Sequence, residues 1–139
     1  MYRNTLLRAG NSDYNWQFGV GAIWFSGLNE EIHANIHVLD CDIIDSSYSA
    51  IAFIEGKVFG VEFENVHING TGTFVLQIQG GGDIKFKNVV ADNVRQANPI
   101  YNCGVQFNIQ TEGSNPWFHQ KAECSVNIQQ YHPDYPWKW

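Results

Sequence analysis

Basic residues are scarce: eight Lys and Arg stand against fourteen Asp and Glu, leaving a net charge of -6 at pH 7. A phosphate-binding surface needs a basic face, so this balance excludes nucleic acid as the expected partner and suits a neutral or mildly polar ligand. No run approaches the roughly 18 to 20 apolar residues of a membrane span, and nothing resembling a signal peptide precedes the first strand-like segment. The cysteines, Cys41, Cys103 and Cys124, are odd in number and therefore cannot form a complete disulfide framework. They are too scattered for a Cys-x-x-Cys zinc motif, and no His-rich cluster replaces one, so no metal site is expected from ligand spacing. Two aspartates are nowhere adjacent.

What the chain does have is a repeat. Ile36-His37-Val38-Leu39-Asp40-Cys41-Asp42-Ile43, Val61-Glu62-Phe63-Glu64-Asn65-Val66-His67-Ile68 and Ile84-Lys85-Phe86-Lys87-Asn88-Val89-Val90-Ala91 share one pattern, apolar-x-apolar-x-(Asn/Asp)-apolar-x-apolar, at offsets of 25 and then 23 residues. A period of this size marks a solenoid or array. Alternation with period two sends one set of side chains inward. The predicted stacks are Ile36/Val61/Ile84, Val38/Phe63/Phe86, Cys41/Val66/Val89 and Ile43/Ile68/Ala91. Outward, Glu62 falls beside Lys85 and Glu64 beside Lys87, opposite-charge pairs that favour this register on parallel strands about 4.8 Å apart. The Asp40/Asn65/Asn88 column interrupts the alternation where a tight bend would let side-chain amides stack. Asn4-Thr5-Leu6-Leu7 fits the tail of the same phrase, with Asn4 in the ladder column and Thr5 and Leu7 pointing inward.

A second strand follows each bend, at Ala22 to Gly27, Ala50 to Gly56, Phe74 to Ile78 and, faintly, Ile100 to Gly104. A third short strand at each of Ile32, Val58 and Gly82 completes a triangular turn. The expected fold is therefore all-β: a right-handed parallel β-helix, a pectate-lyase-like solenoid, partial, of about four coils. Residues 1–139 form one domain, with coils over 4–115 and an aromatic capping tail over 116–139, where Pro116, Pro133 and Pro136 oppose regular strands. The first coil begins in mid-phrase. Either Met1 caps an unusual half-coil or the chain is the C-terminal part of a longer β-helix, and the second is the expectation, since an uncapped end exposes strand edges.

Between the first two strands lies an additional polar and aromatic loop, Gly10 to Gly19. Loops projecting from a rigid solenoid are where function concentrates. Asp13, Tyr14, Asn15 and Trp16 are the residue types that grip a sugar, a flat apolar face for the ring with carboxylate or amide for the hydroxyls. The competing reading is that Trp16 and Phe18 only pack the loop onto the coil. Asp42 beside His67 reads as a surface pair, Asp45 as a cap for amides at a bend, and Asn69-Gly70-Thr71, although a glycosylation sequon, as a turn. Acidic loops leave a structural calcium ion open as the one inorganic ligand to consider; no other cofactor is expected.

The stretches Asn4 to Arg8, Ser12-Asp13-Tyr14-Asn15-Trp16-Gln17-Phe18-Gly19-Val20-Gly21-Ala22-Ile23-Trp24, Asp42 to Ile51 and Gly70 to Phe74 resemble the C-terminal coils of α-1,3-glucanases, or mycodextranases, of glycoside hydrolase family 87. The resemblance implies a secreted microbial enzyme that hydrolyses α-glucan with inversion, one carboxylic acid protonating the leaving oxygen and a carboxylate base activating water. In that family an Asp-Asp pair stands just before a Gly-Ile-Ala-Leu-Trp type of strand. Here the corresponding positions are Gly19-Val20 and Ser47-Tyr48, which cannot transfer protons as that pair does. No catalytic residue is carried over, and the pair is expected in coils upstream. The residues expected at a glucan-binding rim are Asp13, Tyr14, Asn15, Trp16 and Trp24, with polysaccharide and upstream coils as partners. The alternative is a non-catalytic carbohydrate-binding or purely structural module on the same scaffold.

Overall fold

A computed structural model describes residues 2–9, 21–25, 32–53, 56–95, 98–102 and 105–118. All regular structure among them is β, and no helix there is long and apolar enough to cross a membrane. The described residues form thirteen strands in three parallel sheets. The first sheet contains β1 (Thr5–Leu7), β5 (Asp42–Ser46), β8 (His67–Thr71) and β11 (Val90–Val94), in that spatial order. The second contains β2 (Gly21–Phe25), β6 (Ser49–Phe53), β9 (Leu76–Ile78) and β12 (Ile100–Asn102). The third contains β3 (Ile32–Ala34) and β4 (His37–Leu39), both paired with β7 (Lys57–Glu64), followed by β10 (Gly81–Lys87) and β13 (Phe107–Glu112). The chain visits the sheets in rotation, as in a parallel β-helix.

The inward stacks follow the tandem pattern. Ile84 lies beside Val61, Val38 and Phe86 flank Phe63, and Ile43 and Ala91 flank Ile68. Nearly all of these side chains, with Cys41, Val66 and Val89, lie in one buried cluster, against which the less covered Ile36 and Ala91 pack. Aromatic rings continue the stacking: Phe25 lies on Phe53 with centroids 4.8 Å apart, Phe63 sits 5.8 Å from Phe86, and Trp117 meets Phe86 edge-on at 5.0 Å. Cys41 is buried and free, hydrogen-bonding the Leu39 carbonyl at 3.2 Å; Cys103, Cys124 and residues 119–139 lie outside the described residues.

Bends are built from left-handed residues in register. Arg3, Asp40, Asn65 and Asn88 have φ of 49, 53, 52 and 52°, and Gly113 extends the column at 71°. Asn and Asp adopt this region at less cost than other residues with a Cβ. Each N–H in the column donates to the next coil: Arg3 to Leu39 O, Asp40 to Glu64 O, Asn65 to Lys87 O and Asn88 to Glu112 O. The side-chain ladder is shorter than expected. Asn65 Nδ2 donates to Asp40 Oδ1 at 3.1 Å, but Asn88 Oδ1 turns to the Ser114 N–H at 2.8 Å. A Cβ on Gly113 would collide with that Asn88 amide, so only glycine fits below it. A second column of positive φ runs Arg8, Asp45, Gly70, Asn93.

Several expectations need correction. In the first coil the ladder position is Arg3, not Asn4, because β1 pairs Leu6 with Ile43 and Thr5 with Asp42. Leu6 therefore packs inward and Leu7 is 63 % exposed, the reversal that a one-residue slip produces. Lys85 faces Glu62 in register, yet its ion pair is with Glu112 at 2.6 Å, whereas Lys87 does reach Glu64 at 3.5 Å. The short strands at Val58 and Gly82 are not separate; they run on into β7 and β10, and only β3 and β4 are distinct. Asp45 forms a bend with φ of 51°, but the nearby Ser47 N–H donates to Ala9 O of the neighbouring coil rather than to the Asp45 carboxylate. Asn69 to Thr71 is strand rather than turn, with the bend confined to Gly70.

Candidate functional site

Four of the residues expected at a sugar-binding rim, Asp13, Tyr14, Asn15 and Trp16, lie outside the described residues. The fifth, Trp24, is in β2 between Ile23 and Phe25, both of which pack into the core. Alternation turns Trp24 the other way, and it is 51 % exposed. Parallel pairing carries that position through Ala52, Gln77 and Tyr101 on successive strands, so one row crosses the second sheet from an indole to a phenol. Between those aromatic ends, Ala52 and Gln77 are fully buried.

Gln77 is part of a buried polar network at the corner between the first two sheets. Ser49 Oγ donates to Gln77 Oε1 at 2.8 Å and lies 2.9 Å from Thr73 Oγ1. Ser46 Oγ donates to Ser49 O, and Thr71 Oγ1 to Thr73 O. With Thr73 donating to Ser49, every hydroxyl in the network gives its one proton to an oxygen. The corner that the resemblance associates with an acid pair is therefore occupied by neutral groups. Ser47 and Tyr48, at that position, are 1 and 3 % exposed. Neither Ser47 nor Tyr48 is an acid that could exchange protons with a substrate. The short polar side chains Ser46, Ser49, Thr71, Thr73 and Gln77 were not singled out in the sequence, although each occurs at or beside the repeat's second strand.

Charge concentrates on the outward faces of the other two sheets. On the first sheet, His67 lies between two carboxylates: Nε2 is 3.0 Å from Asp92 Oδ2 and Nδ1 is 3.9 Å from Asp42 Oδ1. The expected Asp42–His67 pairing exists, but Asp92 of the following coil is the closer partner, and all three side chains are about half exposed. Beside them Asn93 Nδ2 donates to Asn69 Oδ1 at 2.7 Å.

On the third sheet, His37 and Glu62 are register partners and Glu64 is two residues further along β7 on the same face. His37 Nε2 is 3.1 Å from Glu64 Oε2. The donor atoms of these three side chains lie within 4.8 Å of one another, the one set of imidazole and carboxylate groups among the described residues close enough to share a cation. Lys85, Lys87 and Glu112 complete the strip. The hydrogen bond and charge of Lys85, then the charge of Lys87, hold the Glu112 carboxyl below its usual range; the Glu112 hydrogen bond and charge in turn raise Lys85. A shallow pocket of about 210 Å³ opens beside this strip, lined by Gly60, Glu62, Asp83, Lys85 and Gln110. Aligning Ile36-His37-Val38 with Val61-Glu62-Phe63 already places His37 next to Glu62, so this grouping was present in the repeat.

No family model matches the chain, and no curated protein does. Among solved structures the chain is similar to the catalytic unit of the thermostable GH87 α-1,3-glucanase from Streptomyces thermodiastaticus strain HF3-3, with a TM-score of 0.76 and 30 % identity. The match covers 91 % of this chain and 25 % of that one, so the chain spans about a quarter of the length of the catalytic unit it resembles.

Proposed function

We propose that this chain is the C-terminal β-helix portion of a secreted polysaccharide hydrolase resembling α-1,3-glucanase, and that it contributes to a glucan-binding groove rather than to bond cleavage. The observation that carries this reading is the likeness over 91 % of the chain to a glucanase catalytic unit, combined with a neutral, buried corner at Ser47 and Tyr48. Inverting hydrolysis requires two carboxyl groups about 6.5–9.5 Å apart flanking the bond, and Ser47 and Tyr48 supply none. Trp24 supplies an exposed ring on a rigid strand, and Asp13, Tyr14, Asn15 and Trp16 complete the rim. Further coils stack on the edge formed by β1, β2 and β3 and bring the proton-transfer pair; the outermost position of these strands among the described residues supports this. The setting is extracellular, like that expected of a polysaccharide-degrading enzyme.

Co-sedimentation of the purified chain with insoluble α-1,3-glucan tests the reading, with cellulose as the control. Half of Trp24 is already out of water, so Trp24→Ala forfeits roughly half of the 1.5–3 kcal/mol of a fully buried large side chain, about 1 kcal/mol or about fivefold in Kd. Binding to glucan weakened by that amount supports the reading. Equal retention on both polysaccharides, or none on either, sinks it.

A further inference from the structure

We propose that His37, Glu62 and Glu64 form a binding site for a borderline divalent cation of the zinc class, tying one coil to the next across the third sheet. The three side chains project from adjacent strands β4 and β7 on one face, with His37 and Glu62 directly paired. Their donor atoms fall within 4.8 Å of each other. Bonds of about 2.0–2.2 Å to nitrogen and oxygen place tetrahedral ligands about 3.3–3.6 Å apart. His37 Nε2 and Glu64 Oε2 already stand 3.1 Å apart, and Glu62, the register partner of His37, offers a third donor within the same 4.8 Å span.

The surrounding charges divide between the donor set and the far strand. Glu112 engages Lys85 at 2.6 Å, which turns that cation towards the far strand, while Lys87 lies between Glu64 at 3.5 Å and Glu112 at 3.7 Å. Among the described residues the Glu62 carboxylate makes no hydrogen bond or ion pair, acting on Lys85 only through space, while its backbone N–H donates to Ile36 O. Glu64 meets Lys87 through Oε1 at 3.5 Å while its Oε2 faces His37, so one carboxylate oxygen serves each neighbour. Lys87 is then the cation that opposes the metal. One imidazole with two carboxylates selects zinc, nickel or copper over calcium, which prefers six to eight oxygens, and water fills the open position of a three-ligand site.

Isothermal titration of the full chain with Zn²⁺ and with Ca²⁺, alongside thermal unfolding, tests the assignment. A single saturable Zn²⁺ site that raises Tm is expected. His37→Gln and Glu62→Gln should each weaken it at least about tenfold, the order of loss seen when metal-site contacts are removed, while circular dichroism confirms folding. His67→Gln should leave affinity unchanged, and Lys87→Gln should tighten it. The assignment is overturned by the lack of saturable Zn²⁺ binding, by binding that survives both His37→Gln and Glu62→Gln, by binding lost in His67→Gln, or by Ca²⁺ competing on equal terms.

Discussion

Replacing Asn65 separates the two contributions a ladder residue makes. Its φ is +52°, and its Nδ2 donates to Asp40 Oδ1 at 3.1 Å. A residue with an ordinary Cβ loses about 1–2 kcal/mol in the left-handed region, and the hydrogen bond contributes about 0.5–1.5 kcal/mol. Asn65→Ala loses the bond and retains the backbone penalty without the amide that eases it, so a loss of about 2 kcal/mol is expected. Asn65→Gly also loses the bond but adopts positive φ freely; its loss, chiefly that bond and added unfolded-state entropy, should be about 1 kcal/mol. Urea unfolding followed by circular dichroism reads the difference. With a slope of about 1–3 kcal/mol per M, the alanine midpoint should fall by about 1 M and the glycine midpoint by about half that. Equal midpoints for the two variants would show that backbone conformation does not set the cost, and an alanine variant as stable as the wild type would refute the ladder argument entirely.

Two other perturbations address the corner and the charged strip. Ser49→Ala removes the donor to Gln77 Oε1 and leaves a fully buried carboxamide oxygen unpaired; a loss of about 1–3 kcal/mol is expected, partly recovered in Ser49→Ala/Gln77→Met, and an additive double mutant would argue against the network. The carboxyl of Glu112 is lowered by Lys85, so its contribution is present above the ordinary carboxylate range and is lost as pH falls through the folded-state value. Lys85→Met should therefore flatten the acid limb of the stability–pH curve slightly, both groups being exposed, and a steeper limb would contradict the sign.

The central coils were legible because three kinds of information coincide there: period-two alternation, opposite charges one coil apart, and Asn or Asp at each bend. The Val38/Phe63/Phe86 stack satisfies all three. Thr5 to Leu7 satisfies only the first, and two adjacent leucines allow either register, which is why the structure places Leu6 rather than Leu7 inward. Lys85 chose Glu112 over Glu62 because a strand outside the tandem phrase, β13, pairs on its other side. Alternation turns Trp24 away from the core that claims Ile23 and Phe25, but it does not by itself give exposure, since Ala52 and Gln77 of the same row are fully buried. The buried hydroxyls around Gln77 gave no signal, because serine and threonine near a bend read equally well as solvated turn residues.

The most direct test of the account is release of reducing ends from α-1,3-glucan by the purified chain under conditions where it sediments with the polysaccharide. The account predicts binding without release. Sustained release, abolished by Asp13→Asn, would contradict it and place a working acid in this chain.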